Sequence, residues 1–122
     1  MNLPKGSFLL KEGDKRWDLF FLLNGKVEIT MYVIKNEHRD VTIYRPEPGE
    51  MLEKFSFIDG SPRSASVRVS EKSVVSKFAY NTLIKQFDDN PNLGYLFMNS
   101  LTETFVKRLR RSDSGQRDFF MW

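Results

Sequence analysis

The chain has 122 residues, 40% of them hydrophobic and 17 aromatic, a length that suits one domain and buries an ordinary core without metals or disulfides. The absence of cysteine and the single histidine, His38, exclude disulfide frameworks, thiolate nucleophiles and Cys- or His-rich metal centres, and leave a Ser-His-Asp triad with only a turn residue as its base. Nineteen basic against sixteen acidic side chains give +3, too small an excess to define a nucleic-acid surface unless it is concentrated in one place.

The first eighty residues read as short strands punctuated by glycine, proline and acidic turns. Phe8–Leu10 runs into a turn at Glu12-Gly13-Asp14, and Leu19–Leu23, the longest apolar run and far short of a membrane span, meets Asn24-Gly25. That dipeptide predicts a type I′ hairpin turn. Val27, Ile29, Met31 and Val33 then alternate with Lys26, Glu28, Thr30 and Tyr32, the period of a strand with one buried face. A polar tip over 35–40, with His38 as a surface spacer, leads to a strand over 41–44, which Pro46, Pro48 and Gly49 end. The stretch 51–58 is apolar but interrupted by Glu53, Lys54 and Ser56. A turn over 59–63 follows, Ala65, Val67 and Val69 resume the alternation, and a last strand covers 74–78. Asn81 is placed as the N-cap of a short helix to about residue 88, and Asn90-Pro91 caps and opens a longer one. Leu93, Phe97, Leu101, Phe105 and Leu109 line that helix, with Leu96, Met98 and Val106 widening the apolar stripe. The expected boundaries are a β-roll over about 6–80, helices over about 81–111 and a tail over 112–122, all in one domain.

This layout resembles the cyclic nucleotide-binding domains of catabolite-activator-type regulators, protein kinase A regulatory subunits and gated channels. The resemblance is carried by Glu12-Gly13-Asp14, by the run from Leu19 to Val27, by Pro48-Gly49-Glu50 and most specifically by Phe57-Ile58-Asp59-Gly60-Ser61-Pro62-Arg63-Ser64-Ala65-Ser66-Val67. It implies a mostly β fold with α, a double-stranded jelly roll followed by a short and a long C-terminal helix. It also implies that this last stretch is a phosphate-binding cassette, in which a one-turn helix offers N–H groups to a cyclic phosphate and Arg63 neutralises its charge. A phosphodiester monoanion suits a planar guanidinium. Ser64 matches a position that often donates a hydroxyl to the same phosphate.

Where the family cassette begins Phe-Gly-Glu, this chain has Leu52, Glu53 and Lys54. The glutamate that accepts the sugar 2′-hydroxyl has become an ammonium donor, and Glu53 adds a side chain that either faces solvent or turns inward to pair with Arg63. The resemblance thus puts ligand contacts at Leu52, Glu53, Lys54, Phe55, Ser56, Arg63 and Ser64, with Ser112 near family positions that touch the base from the long helix. Three readings stay open: capture of cAMP or cGMP, with Lys54 adding a phosphate contact; capture of another anion or nucleotide; or a domain that has lost its ligand and serves as a dimerisation or docking module.

A broad apolar stripe on the long helix suits both a core face and a homodimer contact. Lys107, Arg108, Arg110 and Arg111 close that helix, where cations favour the helix C-terminus. Ser112 to Gln116 are expected to break it, and a helix-turn-helix is not expected in the eleven residues after Arg111. The aromatic ending, Phe119-Phe120-Met121-Trp122, is expected to fold back on the domain or to lie over a bound base. No GxxxxGK[ST], GxGxxG, GxSxG or HExxH pattern is present, so a non-catalytic module with no cofactor is expected. Without cysteines or an apolar leader, the cytoplasm is its expected place.

Overall fold

The structure, a computed structural model, describes residues 1–34, 38–52 and 54–113, with the backbone alone for Phe55, Arg108, Arg111, Ser112 and Asp113. The elements in chain order are β1 (Asn2–Leu3), β2 (Phe8–Leu10), β3 (Leu19–Val33), β4 (Arg39–Tyr44), β5 (Met51–Leu52), α1 (Phe55–Asp59), β6 (Ser66–Phe78), α2 (Tyr80–Asp89) and α3 (Pro91–Asp113). They divide at Tyr80/Asn81 into two compact units.

The first unit is an antiparallel β-roll built on two long strands. β3 and β6 pair from Leu19↔Phe78 to Thr30↔Ser66, while β1 and β2 join β6 and β4 and β5 join β3. The alternation expected after Lys26 places Val27 and Ile29 in the core beside Leu10, Phe20, Leu22, Leu52, Val67, Val69 and Val75, all buried. On the other face Glu28 lies opposite Arg68 and accepts a hydrogen bond from it at 2.7 Å.

The expected hairpin at Asn24-Gly25 does not form. β3 runs straight through it as a single strand of fifteen residues, and β6 is likewise one strand where two short ones are expected. The positive φ that the dipeptide supplies, +103° at Gly25, is spent on bulges instead of a reversal. The β3–β6 register shifts between Leu22 and Asn24, between Asn24 and Lys26, and between Lys26 and Val27. A bulge bends and twists a strand without ending it, so both halves of β3 keep the same partner. Only glycine fits here, because a Cβ at Gly25 would lie 2.3 Å from Ser73 Oγ and 2.6 Å from the Lys72 carbonyl oxygen.

The second unit holds α2 from Asn81 onward and α3. Asn90 separates them as expected: its N–H donates to the Gln86 carbonyl, its side-chain oxygen accepts from Leu93 N–H, and its carbonyl accepts from Gly94 N–H. Pro91 takes the first helical position, where its missing N–H costs nothing. The rings of Phe87 and Phe97 lie 5.1 Å apart. Gly94 allows this approach, since a Cβ there would sit 3.2 Å from the Phe87 Cβ. Along α3 Leu101 is buried, whereas Leu93, Tyr95, Leu96, Met98, Val106 and Leu109 are exposed on the single chain. The helix continues to Asp113, so Ser112 is helical rather than a break. The aromatic ending and the 35–37 part of the polar tip lie outside the described residues, and His38, at φ +49°, is exposed.

Replacing Gly25 with Val combines a forbidden backbone region with overpacking, each of which costs on the order of 1–3 kcal/mol. Denaturant unfolding is expected to show G25V destabilised by about 2–4 kcal/mol, whereas a hairpin-tip glycine open to solvent would cost far less on steric grounds.

Candidate functional site

The cassette segment leaves the sheet after β5 and returns at β6. Leu52, buried, is fixed by pairing with Phe20 on β3. α1 follows with Lys54 at its N-cap, and the Lys54 carbonyl accepts the Ile58 N–H at 3.3 Å. The helix stops after one turn because Gly60 takes the left-handed conformation, φ +73°, and its N–H closes on the Ser56 carbonyl at 3.0 Å. The Asp59 side chain then accepts the Ser61 N–H at 2.9 Å, turning the chain toward Arg63. The short helix expected from the resemblance is therefore present, at Phe55–Asp59.

Arg63 is the best-anchored residue of the segment. Its N–H donates to the Asp14 carbonyl at 2.7 Å and its carbonyl accepts the Gly13 N–H at 2.8 Å. These two bonds tie the cassette to the Glu12–Asp14 turn. Its side chain is only 2% exposed, and Nη2 donates to the Asp18 carbonyl at 2.5 Å. Lys54 is equally buried at 2% and Ser56 is fully buried. A lysine and an arginine nine residues apart in the chain are thus both removed from water. Charged groups so placed interact much more strongly with an anion than exposed ones do.

Not all the expected contacts share this placement. Ser64 is exposed while its neighbour Arg63 is buried. Ser112 belongs to the second unit, and its side chain, like those of Glu53 and Phe55, lies outside the described residues, as does the expected pairing of Glu53 with Arg63. Sequence reasoning missed the loop that braces the arginine. Asp14 binds Arg16 through Nη2 at 2.7 Å and Nε at 2.9 Å, and Arg16 Nη2 also reaches the Leu9 carbonyl at 3.4 Å. Trp17 stacks edge-on against Tyr80 at 5.6 Å, and Phe57 of α1 does the same at 5.4 Å. Asp18 Oδ1 accepts the Tyr80 N–H at 3.0 Å. This last bond corrects the expected N-cap at Asn81: α2 starts at Tyr80, and its first donor is met by a carboxylate held beside it by the pairing of Leu19 with Phe78. The only local signal was the acidic turn itself.

The Arg16 guanidinium, hydrogen-bonded to Asp14, holds that carboxyl below its ordinary value of 3.8, with Arg63 adding a weaker attraction. A carboxyl depressed on folding contributes stability above its unfolded pKa, and this contribution is lost as pH falls through the folded value. Chemical denaturation of wild type and D14N is therefore expected to show wild type more stable at neutral pH. The gap should narrow only below about pH 4; a gap independent of pH would place the effect outside this ion pair.

Among the described residues no cluster of three or more His, Asp or Glu side chains could hold a metal ion, and no helix is long and apolar enough to cross a membrane. No curated protein matches the chain. Among solved structures, a cyclic nucleotide-binding domain from Methylobacillus flagellatus is 28% identical with a TM-score of 0.81, over 91% of this chain and 61% of that one. The Thermus thermophilus catabolite activator protein is 23% identical with a TM-score of 0.77, over 93% of this chain and 50% of that one. The EAL enzyme Bd1971 in its cAMP-bound form is 23% identical with a TM-score of 0.63, over 94% of this chain and 29% of that one. The chain thus spans less than two thirds of each of these proteins. A sequence model of the cyclic nucleotide-binding domain matches residues 1–90, and with the β-roll, the one-turn helix and the buried arginine in place, the chain belongs to the cyclic nucleotide-binding domain family.

Proposed function

We propose that this chain is a ligand-sensing regulatory module that holds the phosphate of cAMP or cGMP between the Arg63 guanidinium and main-chain amides of the α1 segment. The observation that carries the reading is the anchoring of Arg63, whose backbone is clamped on both sides by Gly13 and Asp14 and whose side chain is 2% exposed. A guanidinium held this way has already lost its rotamer freedom, so less entropy is lost when an anion binds. The cAMP-bound state of the EAL enzyme, a chain with the same fold, is in keeping with this ligand class. Family members of the regulator type act by binding, and the reading is accordingly non-catalytic, without a cofactor, and cytoplasmic. The exposed apolar residues of α3, Tyr95 and Leu96 foremost, support a homodimer formed through that helix.

A second reading is favoured by a different observation. Arg63 Nη2 donates to the Asp18 carbonyl, and the buried Lys54 stands where the family has a carboxylate for the sugar hydroxyl. Both features suit a domain that has given up its nucleotide and works as a dimerisation or docking module, or one that takes a different anion.

Calorimetric titration separates these readings. Wild type is expected to bind a cyclic nucleotide and R63A to bind it about 10- to 100-fold more weakly, the loss of a hydrogen bond to a charged group. Equal heats for both proteins would leave the docking reading in its place. Light scattering is expected to give wild type twice its 14.4 kDa chain mass, and a Y95E/L96E double variant the single mass; a wild-type monomer at all concentrations would remove the dimer.

A further inference from the structure

The polar and charged side chains buried among the described residues are Thr30, Lys54, Ser56, Arg63 and Ser73. Three of them lie between β5 and β6, and two of those three are cations. No carboxylate of the described residues is buried with them. A cation removed from water is stable only where charge or acceptors compensate it.

The two ends of this segment meet on one stretch of chain. Leu52, two residues before Lys54, pairs with Phe20, and the Arg63 guanidinium donates to the Asp18 carbonyl. Asp18 and Phe20 are two residues apart, roughly 7 Å of extended chain, so the start of α1 and the guanidinium are both brought to the beginning of β3. The loop that braces Arg63 adds no net negative charge at this place, because its carboxylates come with cations of their own. Asp14 binds Arg16 at 2.7 Å and Asp18 binds Lys77 at 3.5 Å. Among the described residues the enclosed charge is therefore that of two cations, and a cyclic phosphodiester, a monoanion, answers one of them.

We propose that Lys54 is a second anion-binding group of this site, and that the ligand it selects is a nucleotide carrying two separate phosphate groups, one met by Arg63 and the other by Lys54. The proposal rests on the reading of Arg63 as the group that meets the ligand's phosphate. It goes beyond that reading in the class of ligand, an open nucleotide with two phosphates in place of a ring-closed monoanion. Lysine suits the second position, since its ammonium is a compact charge with three rotatable donors.

Calorimetric titration of the full chain with cAMP and with adenosine 3′,5′-bisphosphate, at one pH and one ionic strength, tests this in wild type, R63A, K54M, K54R and K72M. Wild type is expected to bind the bisphosphate about tenfold or more tightly than cAMP, the effect of one further hydrogen bond between charged groups. K54M should erase that preference, and K54R, which keeps the charge, should retain it. K72M removes the same charge from an exposed position on β6 and should leave the preference unchanged, which separates a placed ammonium from general attraction. R63A should weaken both ligands. Exchange of a buried cation for an apolar side chain of similar volume is often neutral or stabilising, so the denaturant midpoint of K54M is expected at or above that of wild type, and its loss of preference is then not a loss of fold.

Equal affinity of wild type for the two ligands, or a preference that survives in K54M, overturns the proposal; cAMP binding that still depends on Arg63 would leave the ligand reading intact. Bisphosphate binding that depends on both Lys54 and Arg63, in a protein that does not take cAMP, has the opposite meaning: it supports the proposal and removes the cyclic nucleotide. A wild type that binds neither probe at millimolar concentration overturns both.

Discussion

The structure depends on a guanidinium enclosed by the chain. Arg63 is one of the largest fully buried side chains of the molecule, in company with Lys54, and a charge taken out of water is tolerated only where its surroundings are built for it. Those surroundings come from the loop between β2 and β3. Gly13 and Asp14 clamp the Arg63 backbone, Asp18 takes its side chain, and Arg16 neutralises Asp14. The β-roll around them brings the turn after β2 to residue 63: β2 pairs with the start of β6, Phe8↔Arg68 and Leu10↔Val67, and the same alignment carries on into the bonds that join Gly13 and Asp14 to Arg63.

Much of that frame was legible in the sequence. Alternation named the buried face of β3 at Val27 and Ile29, although Thr30, expected to face water, is buried as well; Asn90-Pro91 named the break between the helices, and the resemblance over Phe57 to Val67 named the segment that holds the one-turn helix and the buried Arg63. Two local signals misled because tertiary pairing overrode them. Asn24-Gly25 has the conformational freedom of a hairpin turn, yet the same positive φ serves a bulge when both flanking segments have a long partner strand to follow. Asn81 has the chemistry of an N-cap, yet Asp18 reaches the preceding amide from 62 residues away. Long-range acceptors of this kind leave no trace in a local window. The bracing of Arg63 by residues 13, 14 and 18 was illegible for the same reason, since acidic turns are common and nothing in their spacing tells which of them faces an arginine.

The departures from the family pattern fall where the chemistry of recognition is decided. A buried ammonium at Lys54 in place of a carboxylate reverses the polarity offered to whatever lies beside it, from acceptor to donor. Under the proposed function, this lysine and Arg63 on one short segment suit a ligand richer in acceptors than in hydroxyl donors. The one-turn helix and the buried arginine are kept, and the residue at the sugar position is changed.

In the proposed function the Arg63 guanidinium is the group that meets the ligand's phosphate. Side-chain ¹⁵N–¹H spectra of the arginine Nε groups, recorded while cAMP is added to the full chain, address it residue by residue. The Arg63 signal, assigned by its loss in R63K, is expected to move saturably while those of Arg45, just past β4, and Arg68, on β6, stay in place. An Arg63 signal unmoved at millimolar cAMP, or moving only in step with every other arginine, would contradict it.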